Sequence, residues 1–185
     1  MILPVLAYGN KVLKKRAEEI TEDHEGLSDI IANMWETMYG AQGVGLAAPQ
    51  IGLSKRLFIV DTSQTDEEGE KETGIKQTFI NPIILSEEGK YWSYEEGCLS
   101  IPNIREDVNR QELVRIRYMD ENFQIHEIEY GGMNARVIQH EYDHLEGILF
   151  TDKIKPLKKR LIKRKLESIK KGTVSVDYRM KFKVI

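Results

Sequence analysis

Gln139-His140-Glu141-Tyr142-Asp143-His144-Leu145-Glu146-Gly147 is the stretch around which this chain of 185 residues is organised. Read as a helix, it places His140 and His144 four residues apart on one face, one turn above the other. Two imidazoles in that relation can share one metal ion. Glu141 stands beside the first, where its carboxylate can reach a water at the metal without taking a coordination position. The chain holds only 4 His, so two of them at this spacing around a glutamate carry information. Val137, Ile138 and Leu145 give the segment a buried side, the Gly131-Gly132 pair marks its start, and Gly147 suits a helix C-cap.

A divalent ion needs a third protein ligand, and Cys98 supplies the only thiol. A lone cysteine is most often a small buried hydrophobe. Beside the two histidines, thiolate coordination becomes the competing reading, with Gly97 removing bulk next to it. His24 lies in a charged stretch and His126 in a strand-like one, so both read as surface histidines. Gly43-Val44-Gly45-Leu46-Ala47-Ala48-Pro49-Gln50-Ile51-Gly52 mixes small and apolar residues, and Pro49 excludes a helix interior. Its glycines allow a substrate or another backbone to approach closely, and a buried Gln50 would need a hydrogen-bond partner. A glycine-rich turn with Gln50 satisfying nearby backbone explains the same pattern. A phosphate loop does not, because no Gly-Lys-Ser/Thr follows.

Composition limits the remaining classes. A chain with 41% hydrophobic residues and net charge -3 fits one globular domain and names no partner by charge. No apolar run approaches the ~20 residues that span a bilayer. Met1 to Ala7 is apolar but lacks a basic start and is too short for a signal peptide. With one cysteine and no internal disulfide, the expected compartment is the cytoplasm.

Residues 28–40 read as a helix with Ser28 as N-cap and Ile30, Ile31, Met34, Trp35 and Met38 on its apolar side. Leu57 to Val60 and Phe79 to Ile84 read as strands, and residues 113–119 and 123–130 as a hairpin. The acidic stretch 65–74 is too polar to pack and reads as a mobile surface loop without a site. Residues 11–19 read as exposed. Pro156 to Lys171 reads as an amphipathic helix with Leu157, Leu161, Ile162, Leu166 and Ile169 on one half. From Lys153 to Lys171 there are ten Lys/Arg against the single acid Glu167. Such a helix suits an anionic partner such as RNA, or a solvated face balancing an acidic body. Residues 173–185 alternate and fit either a strand or a disordered extension.

Three stretches, Gly43 to Gln50, Glu96-Gly97-Cys98-Leu99-Ser100 and Gln139 to Gly147, resemble the signature motifs of the bacterial peptide deformylases, in that family's order and with similar separations. Tyr8-Gly9-Asn10-Lys11-Val12-Leu13 and Asn81-Pro82 are also similar, so the resemblance spans most of residues 1–170. The stretch 65–74 and the extension after Gly172 are less typical. The C-terminal helix is similar to that of the family branch that ends in a helix.

The resemblance implies an α+β fold, with antiparallel strands packed around a central metal-binding helix and a C-terminal helix. Residues 1–172 are then the catalytic domain and 173–185 an extension. It further implies Cys98, His140 and His144 as ligands of one divalent metal ion. Fe2+ is the working ion, with Zn2+, Ni2+ or Co2+ able to occupy the site. Glu141 is then the general base. Gln50 and the backbone N–H of Leu99 are donors to the developing oxyanion when the N-formyl group of a formylmethionyl peptide is hydrolysed to formate. Crowding around Gly45, Gln50 and Leu99 should exclude acetyl. Val44 and Val137 are candidates for the methionine pocket, and the peptide should add as a strand near Gly43 to Gly45. The implied partners are nascent chains, with the ribosome bound through the basic helix and no membrane.

Two rivals share parts of this pattern. A zinc endopeptidase would use a downstream third ligand, and since no His follows His144 that ligand would be a carboxylate such as Glu146 or Glu167. A non-catalytic metal- or ribosome-binding protein would leave Glu141 a bystander.

Overall fold

The computed structural model describes residues 1–65 and 73–183. Five strands, β2 (Gly45–Ala47), β3 (Leu57–Asp61), β4 (Lys76–Cys98), β5 (Ile101–Met119) and β6 (Ile125–Gly131), form one antiparallel sheet in the order β2-β3-β4-β5-β6. β3 explains how the layers stack. All five of its residues are buried because the sheet is covered on both faces, so its apolar residues run without interruption. Leu57 and Ile59 pack with Leu27, Ile31, Met34 and Met38 of helix α1 (Leu27–Gly40). Phe58 and Val60 pack on the opposite face with Ala135, Val137, Ile138 and Leu145 of helix α2 (Gly132–Leu145). The α+β arrangement around a central helix is therefore as expected.

Helix α2 carries the two histidines, and its ends are fixed tightly. Gly131 is its N-cap. At its C-terminus Gly147 takes φ +71°, and the N–H of Ile148 donates to Asp143 O at 2.9 Å, a glycine-terminated helix end. A Cβ on Gly147 would lie 2.7 Å from the backbone carbon of Lys14, so the N-terminal segment can pass there only over a glycine. The Leu145 carbonyl accepts from Ala17 N–H at 2.8 Å. Leu13 and Ala17 are correspondingly buried, while the charged residues of 11–19 are exposed as expected, so this segment braces the helix end with its apolar side chains.

α1 begins one residue before the expected start, with Gly26 at φ +71° as N-cap and no side-chain cap. Ser28 is inside its first turn. β4 and β5 are far longer than the apolar patterns indicate. Their pairing shifts register at four places, one of them at Asn81-Pro82. There the Asn81 side chain donates to Ile20 O and accepts from Ile20 N–H, both at 2.8 Å.

The first half of β5 packs Ile101, Ile104 and Val108 against Phe150 of α3 (Phe150–Lys153) and Ile162, Leu166 and Ile169 of α4 (Pro156–Lys171). Leu157 and Leu161 stay 67% and 68% exposed, so the buried stripe of α4 is narrower than the sequence suggested. After α4 the chain returns to the body. β7 (Met180–Lys181) pairs in parallel with β1 (Val5–Leu6), which gives the alternating tail a short strand. The acidic stretch 65–74 lies mostly outside the described residues. Among the described residues, no helix is long and apolar enough to cross a membrane.

Candidate metal centre

Cys98 ends β4, and Leu99-Ser100 forms the turn that brings the chain back as β5. This turn abuts α2. Cys98 Sγ and one ring nitrogen from each of His140 and His144 all lie within 4.8 Å of one another. The sulfur is 3.4 Å from His144 Nε2. Two ligands of a tetrahedral ion with bonds of about 2.0–2.3 Å stand roughly 3.5 Å apart. The donors therefore fit one ion after small side-chain adjustments, and a thiolate with two imidazoles is a donor set suited to zinc or ferrous iron.

The second nitrogen of His140 is committed. Its Nδ1 lies 2.9 Å from Glu96 Oε2, so Nδ1–H donates to the carboxylate and Nε2 is left to face the cluster. Glu96 also accepts from Arg110 Nε (2.7 Å) and Nη2 (3.0 Å) and from Arg136 Nη1 (2.6 Å). Arg110 reaches on to Asp143 at 2.8 Å. The side chains of Glu96, Arg110 and Arg136 are only 5%, 2% and 2% exposed. Burial opposes the charge on Glu96, but His140 and Arg110 outweigh it and hold the carboxyl far below its ordinary value. His144 Nδ1 has no partner among the described residues, and packing at 1% exposure holds its ring.

The protonation preferences of the two rings diverge. Burial alone would lower His140, yet hydrogen bonds to Cys98 and Glu96 place it well above the usual histidine value. Burial, followed by repulsion from His140, drives His144 well below. Glu96 and Cys98 thus favour a cation beside His140, and since a metal ligand is a neutral imidazole, an ion bound there would take the place of the ring proton.

Glu141 points from the same helix toward β2. It is 4% exposed, and its Oε2 has no partner among the described residues. Burial pushes its pKa up to about 7. A Cβ at Gly45 would sit 2.8 Å from the Cδ of Glu141, so glycine is what allows the strand and the carboxylate to lie side by side. Gln50, in the turn after β2, is 1% exposed. Its Oε1 accepts from Ala47 N–H at 2.9 Å, which turns the amide nitrogen toward the site, 3.2 Å from Ser100 Oγ and 3.5 Å from Cys98 Sγ.

A cleft of about 860 Å³ opens over these groups, lined by Val44, Gly45, Gln50, Cys98, Leu99 and Val137, with His140 and Glu141 beside them. Every site residue expected from the sequence except the more deeply placed His144 reaches this cleft. β2 lies at the edge of the sheet. His126 is elsewhere, 2.8 Å from the Asp120 carboxylate and stacked on Tyr118. The sequence reading missed Glu96, Arg110, Arg136 and Asp143 as a buried ion network. Glu96 and Asp143 each lie within two residues of a candidate ligand, and that proximity was the available signal.

Three converging metal donors, an adjacent buried carboxyl and an amide donor aimed at the same space define a metal-dependent hydrolase. The family model for polypeptide deformylase matches residues 2–160. A peptide deformylase of Flavobacterium psychrophilum is 57% identical over 188 residues, covering 98% of this chain and 97% of the relative. Another, from Christiangramia forsetii, is 54% identical over 189 residues, covering 98% and 96%. The crystal structure of a peptide deformylase from Legionella pneumophila matches with TM-score 0.81 at 38% identity, over 94% of this chain and 98% of that one. A peptide deformylase from Synechococcus elongatus, in complex with actinonin, matches with TM-score 0.78 at 36% identity, over 97% and 92%. The chain belongs to the polypeptide deformylase family. It is a metal-dependent hydrolase that removes the N-formyl group from the formylmethionyl end of newly made polypeptides and releases formate.

Proposed function

We propose that Cys98, His140 and His144 hold one divalent ion and that Glu141, Gln50 and the Leu99 N–H carry out formyl hydrolysis around it. The convergence of the three donors within 4.8 Å, next to a buried Glu141 oxygen with no partner among the described residues, carries this reading. A bound divalent ion supplies Lewis acidity, acidifying a water and polarising the formyl oxygen. Glu141 takes the proton of the attacking water and later delivers it to the departing amine nitrogen. As the formyl carbon becomes tetrahedral, negative charge gathers on its oxygen. The amide nitrogen of Gln50 and the backbone N–H of Leu99 donate to that oxygen. Ala47 N–H keeps Gln50 in the donating orientation.

Val44 and Val137 border the methionine side chain, and the peptide extends along the open edge of β2 near Gly45. Crowding around Gly45, Gln50 and Leu99, with Gly45 packed against Glu141, excludes the larger acetyl group by steric clash. Fe2+ is the working ion, with Zn2+, Ni2+ or Co2+ able to replace it. A thiolate–iron pair is oxygen-sensitive. Residues 1–172 carry the metal ligands, the base and the oxyanion donors, and 173–185 follow as a C-terminal extension. The cytoplasm is the compartment of this chemistry, and the exposed cations of α4 dock on ribosomal RNA near emerging chains.

Replacing Cys98 by Ala tests the ligand set. Loss of both stoichiometric metal and formate release supports it, whereas metal retained at full occupancy would instead favour a carboxylate ligand and an endopeptidase-like centre.

A further inference from the structure

From Thr173 to Met180 the chain alternates. Val174, Val176, Tyr178 and Met180 are half-buried, while Thr173, Ser175, Asp177 and Arg179 are exposed. The inward residues divide into two groups. Val174, Met180 and Phe182 pack against the cluster that contains Ala7, Ile101, Phe150 and Leu166. Val176 and Tyr178, between them, line the cleft over the metal site instead. Ser175 and Asp177 line it too while remaining exposed, so this strap forms the solvent-side wall at the cleft mouth.

The strap is fastened on both sides of these residues. Asn103 Nδ2 donates to Ser175 O at 3.2 Å. Val5 N–H donates to Arg179 O at 2.9 Å and Ala7 N–H to Lys181 O at 3.0 Å. The hydroxyl of Tyr178 donates to Leu99 O at 2.7 Å. Tyr8 N–H, which follows the strand paired with β7, donates to the next carbonyl, Ser100 O, at 2.8 Å. Both carbonyls of the turn after Cys98 are thus held by the joined chain ends.

We propose that the C-terminal strap completes the active site, with Tyr178 positioning the Cys98–Ser100 turn and Val176 contacting apolar substrate residues beyond formylmethionine. This rests on the roles given above to Cys98 and the Leu99 N–H. The hydroxyl holds the Leu99–Ser100 peptide plane, the one that follows the plane carrying the Leu99 N–H, and so limits the rotation of the Leu99 backbone on which the aim of that N–H and of the Cys98 sulfur depends. Val44 and Val137 lie against the first side chain. A peptide running out of the cleft then passes the strap, where Val176 offers an apolar surface.

Two substitutions separate the functions on two substrates, formylmethionine amide and formyl-Met-Ala-Leu. Tyr178→Phe removes only the hydroxyl and should lower kcat about tenfold on both substrates with KM nearly constant, as expected for one lost positioning hydrogen bond. Val176→Asp should raise KM for the tripeptide, lowering the preference for tripeptide over amide by about tenfold, because a charge now meets an apolar side chain. Calorimetry of metal-free protein should show a similar weakening for the product Met-Ala-Leu. Unchanged kcat in Tyr178→Phe together with an unchanged substrate ratio in Val176→Asp would overturn the proposal. So would a Tyr178→Phe loss that merely tracks a lowered melting temperature, together with a Val176→Asp loss that falls equally on both substrates. Wild-type activity on the amide tests the deformylase chemistry separately from the strap.

Discussion

Gly45 and Glu141 lie so close that a Cβ on the glycine would stand 2.8 Å from both the Cγ and the Cδ of the glutamate. The edge strand and the metal helix can meet only at a residue without a side chain. Gly45→Ala should therefore push Glu141 off its position and lower kcat at least tenfold with metal content intact, because a misplaced base loses part of the 10²–10⁴-fold that general base catalysis contributes, to order of magnitude. Steady-state kinetics with metal analysis measures this, and an alanine variant of wild-type activity would show that the contact is unimportant.

Gln50 has its amide oxygen occupied by Ala47 N–H and only its nitrogen facing the site. Gln50→Ala should reduce kcat by about 10²–10³, the usual loss for one oxyanion donor, while metal stoichiometry stays the same. A Gln50→Ala protein with an undiminished kcat would remove Gln50 from the reaction.

Glu96 joins His140 to two arginines that are each 2% exposed. Glu96→Ala removes the carboxylate from the buried Arg136 and leaves Arg110 with Asp143 alone, which costs about 3–5 kcal/mol of stability. It also releases His140 Nδ1, for which metal affinity should fall about 10–100-fold. Chemical denaturation of metal-free protein and a competition titration with a chelator read the two effects independently. Stability lost with metal affinity retained would confine Glu96 to a folding role.

Metal should stabilise the fold, because Cys98 belongs to the β4–β5 turn and both histidines to α2, so one ion ties sheet to helix. Free metal at a hundred times its Kd adds about 2.7 kcal/mol, or roughly 5–10 °C in Tm for a chain of this size. Chelation should reverse the shift, and Cys98→Ala should abolish it. An identical Tm with and without metal would mean that the three donors do not bind a common ion.

The exposed cations of α4 should bind ribosomes in a salt-dependent manner. Replacing Arg160, Lys163 and Arg164 with Gln should weaken cosedimentation with ribosomes while leaving hydrolysis of a short formyl peptide unchanged. Equal cosedimentation of both proteins would exclude α4 as the docking surface.

The sequence made α2 legible because its histidine spacing, apolar side and terminal glycines all pointed to one helix. β3 was legible because both sheet faces are covered, leaving an unbroken apolar run. The first half of β5 was not. Its inward position 110 holds an arginine, buried because Glu96 and Asp143 meet it from β4 and α2, so strand alternation is broken by a charge whose partners lie far away in sequence. The tail was ambiguous for a related reason. Its alternation is visible, but its partners are β1 and the Leu99 turn, contacts across the whole chain that no local pattern encodes.

Formate release by anaerobically prepared Glu141→Gln, carrying the same metal complement as wild type, tests the central claim most directly. The account predicts a loss of about 10²–10⁴-fold in kcat with the metal site intact. A metal-loaded Glu141→Gln protein that hydrolyses formyl-Met peptides at the wild-type rate would contradict it.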